Sequence, residues 1–220
     1  MSHTSAHRAE VGAIARGLDG FAFSCFVAHD AIEPSRSWQD VIELALRTCD
    51  VLLAYVSPDF NESHWCDQEV GWALGREIVV IPLKVGADPY GFFGSYQALR
   101  LDTSALKAPA QHAVEIARAI AIAVFSEQRR GAGRLIPKMA DLVVEAFCRS
   151  GSFDSARRRW ELLRLIPSSA WTEAHFARLE AAAKENSQVR EAVIEVAPRA
   201  HRPAPELIAE LVERERARRR

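Results

Sequence analysis

Residues 49–85 read CDVLLAYVSPDFNESHWCDQEVGWALGREIVVIPLKV. Two uninterrupted apolar runs stand in this stretch, VLLAYV after Asp50 and IVVIPLKV from Ile78. A strand with one wet face alternates apolar and polar residues. Runs that are apolar throughout belong to strands covered on both faces, and sheets of such strands are parallel. Ser57-Pro58 closes the first run. Between the two runs, residues 64–74 read as a helix, with Gly75 where a C-terminal cap belongs.

The same alternation extends outward. Upstream, Val11, Ile14, Ala15 and Leu18 form the i, i+3, i+4, i+7 stripe of a helix packed on a sheet. Phe21 to Ala28 is an apolar, aromatic-rich run of strand length, and DAIEPSRSW (30–38) follows as a loop. A helix from Trp38 to Cys49 is expected to bury Trp38, Ile42, Ala45 and Cys49. Downstream, Leu99 to Asp102 reads as a short last strand and 109–126 as an Ala/Ile/Val-rich helix. Strands and helices alternating at this spacing predict a doubly wound α/β sheet, in which ligands bind beyond the carboxyl ends of the strands.

After residue 127 the strand signal stops. QRRGAG (128–133) is a polar break, so the expected organisation is one α/β domain over 1–126 and an all-α region over 127–220. One helix there is marked by Leu135, Met139, Leu142, Val143 and Phe147, a second by Trp160, Leu163 and Ile166. Thr172 is placed to cap a third, with Trp171 stapled to Phe176. A last helix starts near Pro205 and ends in RERARRR. Its arginines suit a helix C-terminus, and read alternatively as a site for an anionic partner.

Composition narrows the function classes. Of 220 residues, 28 are Lys or Arg and 29 Asp or Glu, so the net charge of −1 offers no overall field for nucleic acid or membrane. Cys25, Cys49, Cys66 and Cys148 stand singly, without CxxC or zinc spacing. That usage fits buried thiols in a reducing compartment. The polar start MSHTSAHRAE is not a signal peptide, and no apolar run approaches the roughly 20 residues that span a bilayer. A cytoplasmic protein is expected. His3 and His7 are i, i+4 without a third ligand, so no metal is expected. His64 and Cys66, at i and i+2, diverge on a helix and do not form a Cys–His pair. No Walker loop or GxGxxG is present.

One acidic residue stands out. Trp65 and Glu69 are i, i+4 and share a helix face, near the carboxyl edge of a parallel sheet. The indole walls one side of the carboxylate, excluding water and strengthening its electrostatics. These residues, with Val56-Ser57-Pro58, Ser63-His64-Trp65-Cys66-Asp67-Gln68-Glu69 and the strand from Ile78 to Leu83, resemble the centre of a bacterial TIR (Toll/interleukin-1 receptor/resistance) domain. CFVAHDAIEPSRSWQDVIELALRTCD is similar to the second strand, BB loop and second helix of that family, and SHTSAHR to the loop after its first strand. The resemblance covers about residues 1–126 and implies a flavodoxin-like fold.

It further implies an NAD+ glycohydrolase or cyclase, with NAD+ as substrate and no bound cofactor, assembled through TIR–TIR contacts and used in antiphage defence or signalling. By the same resemblance Glu69 is the catalytic residue, while His3, Thr4, Ser5, Asp30 and Trp38 flank the substrate. Trp38 reads equally as a core anchor, Ser63 as a helix cap or a contact, and Trp65 as a wall; Trp72 is assigned to packing. In the family the first strand is central, lying between the second and third. Here only its end, Met1-Ser2-His3, is present. Residues upstream of Met1 are therefore expected in the native protein, the alternative being that the neighbouring strands close the gap. Two other functions remain open: a TIR scaffold without catalysis, and a nucleoside deoxyribosyltransferase-like enzyme. A response-regulator receiver is disfavoured, because the strand at 51–57 ends without an acceptor aspartate.

Overall fold

A computed structural model of the chain describes residues 1–28, 38–102, 109–127, 131–197 and 200–219. The chain divides into two compact units, Met1–Asp19 with Phe23–Leu135, and Gly20–Ala22 with Ile136–Arg220.

The first unit is built on a three-stranded parallel sheet, β1 (Val51–Val56), β2 (Val79–Lys84) and β3 (Leu99–Arg100), ordered as numbered. Its helices are α1 (Arg8–Asp19), α2 (Trp38–Thr48), α3 (His64–Gly75) and α4 (Ala113–Phe125). Period-two alternation sends Leu52, Ala54, Val56, Ile78 and Val80 to one face. There they meet Ile42 and Leu46 of α2 and Cys66, Val70 and Ala73 of α3. Leu53, Tyr55, Ile81 and Leu83 fall to the other face, and α4, itself packed on α1, lies against β2. The two apolar runs of 49–85 are thus strands covered on both sides, as their composition requires.

Four local expectations need correction. Phe23–Ala28 forms no strand ladder. Met1 and Ser2 lie where its partner would be: the Met1 amino group donates to Phe26 O at 2.7 Å, Ser2 N–H donates to Leu53 O at 2.8 Å, and Tyr55 N–H donates to Ser2 O at 2.9 Å. Two residues complete the edge of β1 but supply only one bond toward Phe26, so the run has the composition of a strand without a ladder to join. Trp38 is exposed rather than buried, and Cys49 is only half-buried. Gly75 is not the left-handed cap of α3. That position is Glu77 (φ +56°), where Ile78 N–H reaches Ala73 O and Glu77 N–H reaches Leu74 O in a Schellman arrangement. The first unit also runs on to Leu135 instead of ending at residue 126, and Gly131 (φ +74°) packs against Glu77.

The second unit comprises α5 (Ile136–Cys148), α6 (Phe153–Leu163), α7 (Glu173–Glu185), α8 (Ser187–Arg190) and α9 (Ala204–Arg218). It is not all helix. The antiparallel strands β4 (Val193–Ala197) and β5 (Ala200–Pro203) form a hairpin where Val193, Ile194 and Val196 supply β-branched residues too briefly to announce themselves. Thr172 caps α7 by accepting from His175 N–H, and Trp171 stacks on Phe176 at 5.6 Å, the expected staple. The arginines of α9 are engaged within the unit. Arg216 pairs with Glu173 and Glu180 of α7 and lies 5.1 Å over the Phe176 ring, while Arg219 also reaches Glu173. Arg216 and Arg218 stand in the last turn of α9, the helix C-terminus that suits their charge, and Arg216 in addition holds α9 to α7. Among the described residues, no helix is long and apolar enough to cross a membrane.

Candidate functional site

The site grows from the turn that follows β1. Ser57-Pro58-Asp59 leaves the strand, a 3-10 turn covers Phe60–Glu62, and Ser63 starts α3 by accepting from Cys66 N–H at 3.4 Å. Ser63 is therefore an N-cap, as one of its two readings proposed. The cap fixes the rotation of α3: Cys66, Val70 and Ala73 enter the core, leaving Trp65, Glu69 and Trp72 on an adjoining face at i, i+4 and i+7. Beside them α2 presents Gln39, Ile42, Glu43 and Leu46, again at i, i+3, i+4 and i+7.

These two stripes, with Gln68, line a cleft of about 200 Å³ between the helices. Glu69 is a half-buried residue of its wall. It lies close enough to the Cys66 thiol and the Met1 amino group for its charge to influence both. Trp38, at the start of α2, stands beside Trp65, with ring centroids 4.2 Å apart in an edge-on arrangement. Trp38, Trp65 and Trp72 are 42%, 40% and 38% exposed. Trp72 lines the cleft instead of only packing, and Gln39, Ile42, Glu43 and Leu46 join it. The buried stripe expected for this helix is Trp38, Ile42, Ala45 and Cys49, so of these four only Ile42 is singled out by the sequence.

The other candidates sit at the end of β1. Ser57 Oγ donates to Asp59 Oδ1 at 2.6 Å, Thr4 Oγ1 donates to Asp59 Oδ2 at 2.7 Å, and His7 Nε2 lies 3.3 Å from Oδ1. The hydroxyls of Ser57 and Thr4 hold the Asp59 carboxyl down to about 2. Thr4 thereby anchors the loop rather than facing the cleft with its hydroxyl. Ser5 is exposed at the start of a 3-10 turn, and His3 is half-buried with Nδ1 3.1 Å from Met1 O. Asp30 lies outside the described residues. Asp59 was missed by sequence reasoning; the only signal was its place directly after Ser57-Pro58.

A consequence for acid stability follows. Because Asp59 has a lower pKa folded than unfolded, its contribution is complete above the ordinary value of 3.8 and fades as pH falls toward about 2. Asp59→Asn should lower the melting temperature at pH 7 and flatten the loss of stability between pH 4 and 2. Thermal unfolding at stepped pH checks this, and parallel profiles for the two proteins would contradict it.

Burial pushes the Cys66 thiol up, so it is no thiolate nucleophile, and His64 beside it is exposed. Among the described residues, no three His, Cys, Asp or Glu side chains gather to hold a metal ion. Two carboxylates line the cleft, Glu69 on α3 and Glu43 on α2; Glu43 is paired with Arg47 at 2.5 Å, which leaves Glu69 beside Trp65 and Trp72 as the candidate for chemistry.

A family model described as TIR domain matches residues 1–114. No curated protein and no solved structure matches the chain.

Proposed function

Because the chain belongs to the TIR domain family, we propose that it cleaves the bond between nicotinamide and ribose in NAD+, as a glycohydrolase or cyclase, with Glu69 as the catalytic residue. The observation that supports this reading is that Glu69, a half-buried residue, lines the α2–α3 cleft together with Trp65 and Trp72. Ordinary glycosidases need a second carboxyl group to protonate the leaving oxygen. Nicotinamide leaves NAD+ as a neutral ring from a cationic one, so no general acid is needed. What remains is to stabilise an oxocarbenium-like ribose and hold its hydroxyls, which a single carboxylate does by charge and by accepting hydrogen bonds. The cleft is smaller than the roughly 300–1,000 Å³ of pockets that enclose whole ligands, so it suits one ring and its ribose. Hydrolysis and cyclisation share this step and differ in the nucleophile that reaches the ribose carbon.

TIR domains commonly self-associate, and the proposed enzyme acts as a homo-oligomer in the cytoplasm, in bacterial antiphage defence or signalling. The three exposed indoles also suit a second reading, a scaffold that pairs TIR copies without catalysis. Incubating the purified full chain with NAD+ and separating the products by chromatography distinguishes the two. Free nicotinamide with ADP-ribose or its cyclic form supports the enzyme. Self-association without nicotinamide release selects the scaffold, and turnover of deoxynucleosides alone selects a deoxyribosyltransferase.

A further inference from the structure

The first turn of α3 carries a tether on the flank away from the cleft. Asp67 and Glu69 are two residues apart, about 200° around a helix, so they point to nearly opposite sides. Tyr90 Oη donates to Asp67 Oδ1 at 2.5 Å. The Tyr90 ring is set by Phe60 and Phe93, with centroids 6.4 Å and 5.5 Å away, and both of those rings are buried. The segment that brings Tyr90 there leaves β2 and is itself held at several points. Lys84 pairs with Asp88, Gly86 at φ +94° passes closely over Pro58, and Gly94 N–H and Tyr96 N–H close the turn that follows. Tyr90 is thus a rigid post standing on the end of the sheet, bonded to a helix whose other flank carries Glu69.

We propose that Tyr90 is a positioning residue for Glu69: through its hydrogen bond to Asp67 it fixes the height and rotation of the first turns of α3, and so the placement of the carboxylate in the cleft. This rests on the NAD+-cleaving role of Glu69. The Ser63 cap determines where the helix begins, and the core contacts of Cys66 and Val70 determine which face is buried. Both restrain the helix from its core side and its end, and the Tyr90 bond adds a restraint on its solvent-facing flank at Asp67. Burial and the neighbouring Asp67 charge both push the Tyr90 phenol up, so the hydroxyl keeps its proton and remains a donor throughout the working pH range.

The test compares Tyr90→Phe, which keeps the ring and loses the donor, with Asp67→Asn, which keeps an acceptor oxygen. In the full chain, Tyr90→Phe should lower kcat for nicotinamide release by about ten- to a hundredfold, the scale of a misplaced reacting group, with KM and melting temperature nearly unchanged. Asp67→Asn should stay within about threefold of wild type, and Tyr90→Phe combined with Asp67→Ala should be no worse than Asp67→Ala alone, because paired residues are not additive. Amide hydrogen exchange supplies a readout that does not depend on turnover: the first-turn amides of α3 should exchange about fivefold faster or more in Tyr90→Phe. Wild-type kcat in Tyr90→Phe, or additive losses in the double variant, overturns the proposal. So does unchanged exchange, even in a protein that cleaves no NAD+. A wild type that releases no nicotinamide refutes the catalytic reading of Glu69 and with it Tyr90's role in positioning it, leaving faster exchange to report a structural clamp alone.

Discussion

Glu69→Gln should abolish measurable nicotinamide release, lowering kcat/KM for NAD+ by about 10²–10³-fold or more, the range seen when one group that stabilises transition-state charge is removed. Glutamine keeps the shape and a hydrogen-bonding oxygen, so substrate still binds and the variant stays folded. What is lost is the negative charge opposite a ribose carbon that becomes cationic as nicotinamide departs. Glu69 lies on the cleft wall rather than in the core formed by Cys66, Val70 and Ala73, so the melting temperature should change little. Activity assays paired with thermal unfolding check both halves of this expectation. Full activity in Glu69→Gln would remove the reason for assigning catalysis to this cleft.

The largest structural effect is expected at Gly131. Its φ of +74° disfavours any side chain, and a Cβ built there would stand 2.1 Å from the carbonyl oxygen of Glu77. Glu77 cannot easily retreat, because it is the left-handed residue of the Schellman turn that ends α3 and leads directly into β2. Left-handed strain and forced displacement of packed backbone each cost about 1–3 kcal/mol. Gly131→Ala should therefore lower the melting temperature by roughly 5–15 °C. Calorimetry of the full chain checks this, and a shift under about 2 °C would mean that the crossing is loose.

What could be read from the sequence follows the range of the interactions involved. β1, α3 and β2 were legible because local composition specifies them: continuous apolar runs for strands covered on both faces, and Ser63 for the helix start. Trp65 and Glu69 were legible as a pair because i, i+4 spacing is a local fact. The run 21–28 was misread because a strand is made by its partner, and among the described residues it forms no ladder, its tie to the chain start being the bond from the Met1 amino group to Phe26 O. The tie of Arg216 to α7 was not legible for a related reason, since Glu173 and Glu180 lie more than 30 residues away in the chain. Gly75 drew attention as a cap because glycine is the usual left-handed residue, whereas the helix runs on and the left-handed place falls to Glu77, held by the bonds of Glu77 N–H to Leu74 O and Ile78 N–H to Ala73 O. Asp59 and the α2 side of the cleft were invisible because each becomes a site only when distant segments meet.

The five tryptophans of the chain are divided by environment. Trp38, Trp65 and Trp72 are open to water around one hollow, whereas Trp160 and Trp171 are sealed in the second unit. Intrinsic fluorescence therefore carries two separable signals. A red-shifted, iodide-quenchable component reports the hollow, and a blue-shifted, shielded one reports the second unit, so titrations can be followed in each without attaching a dye.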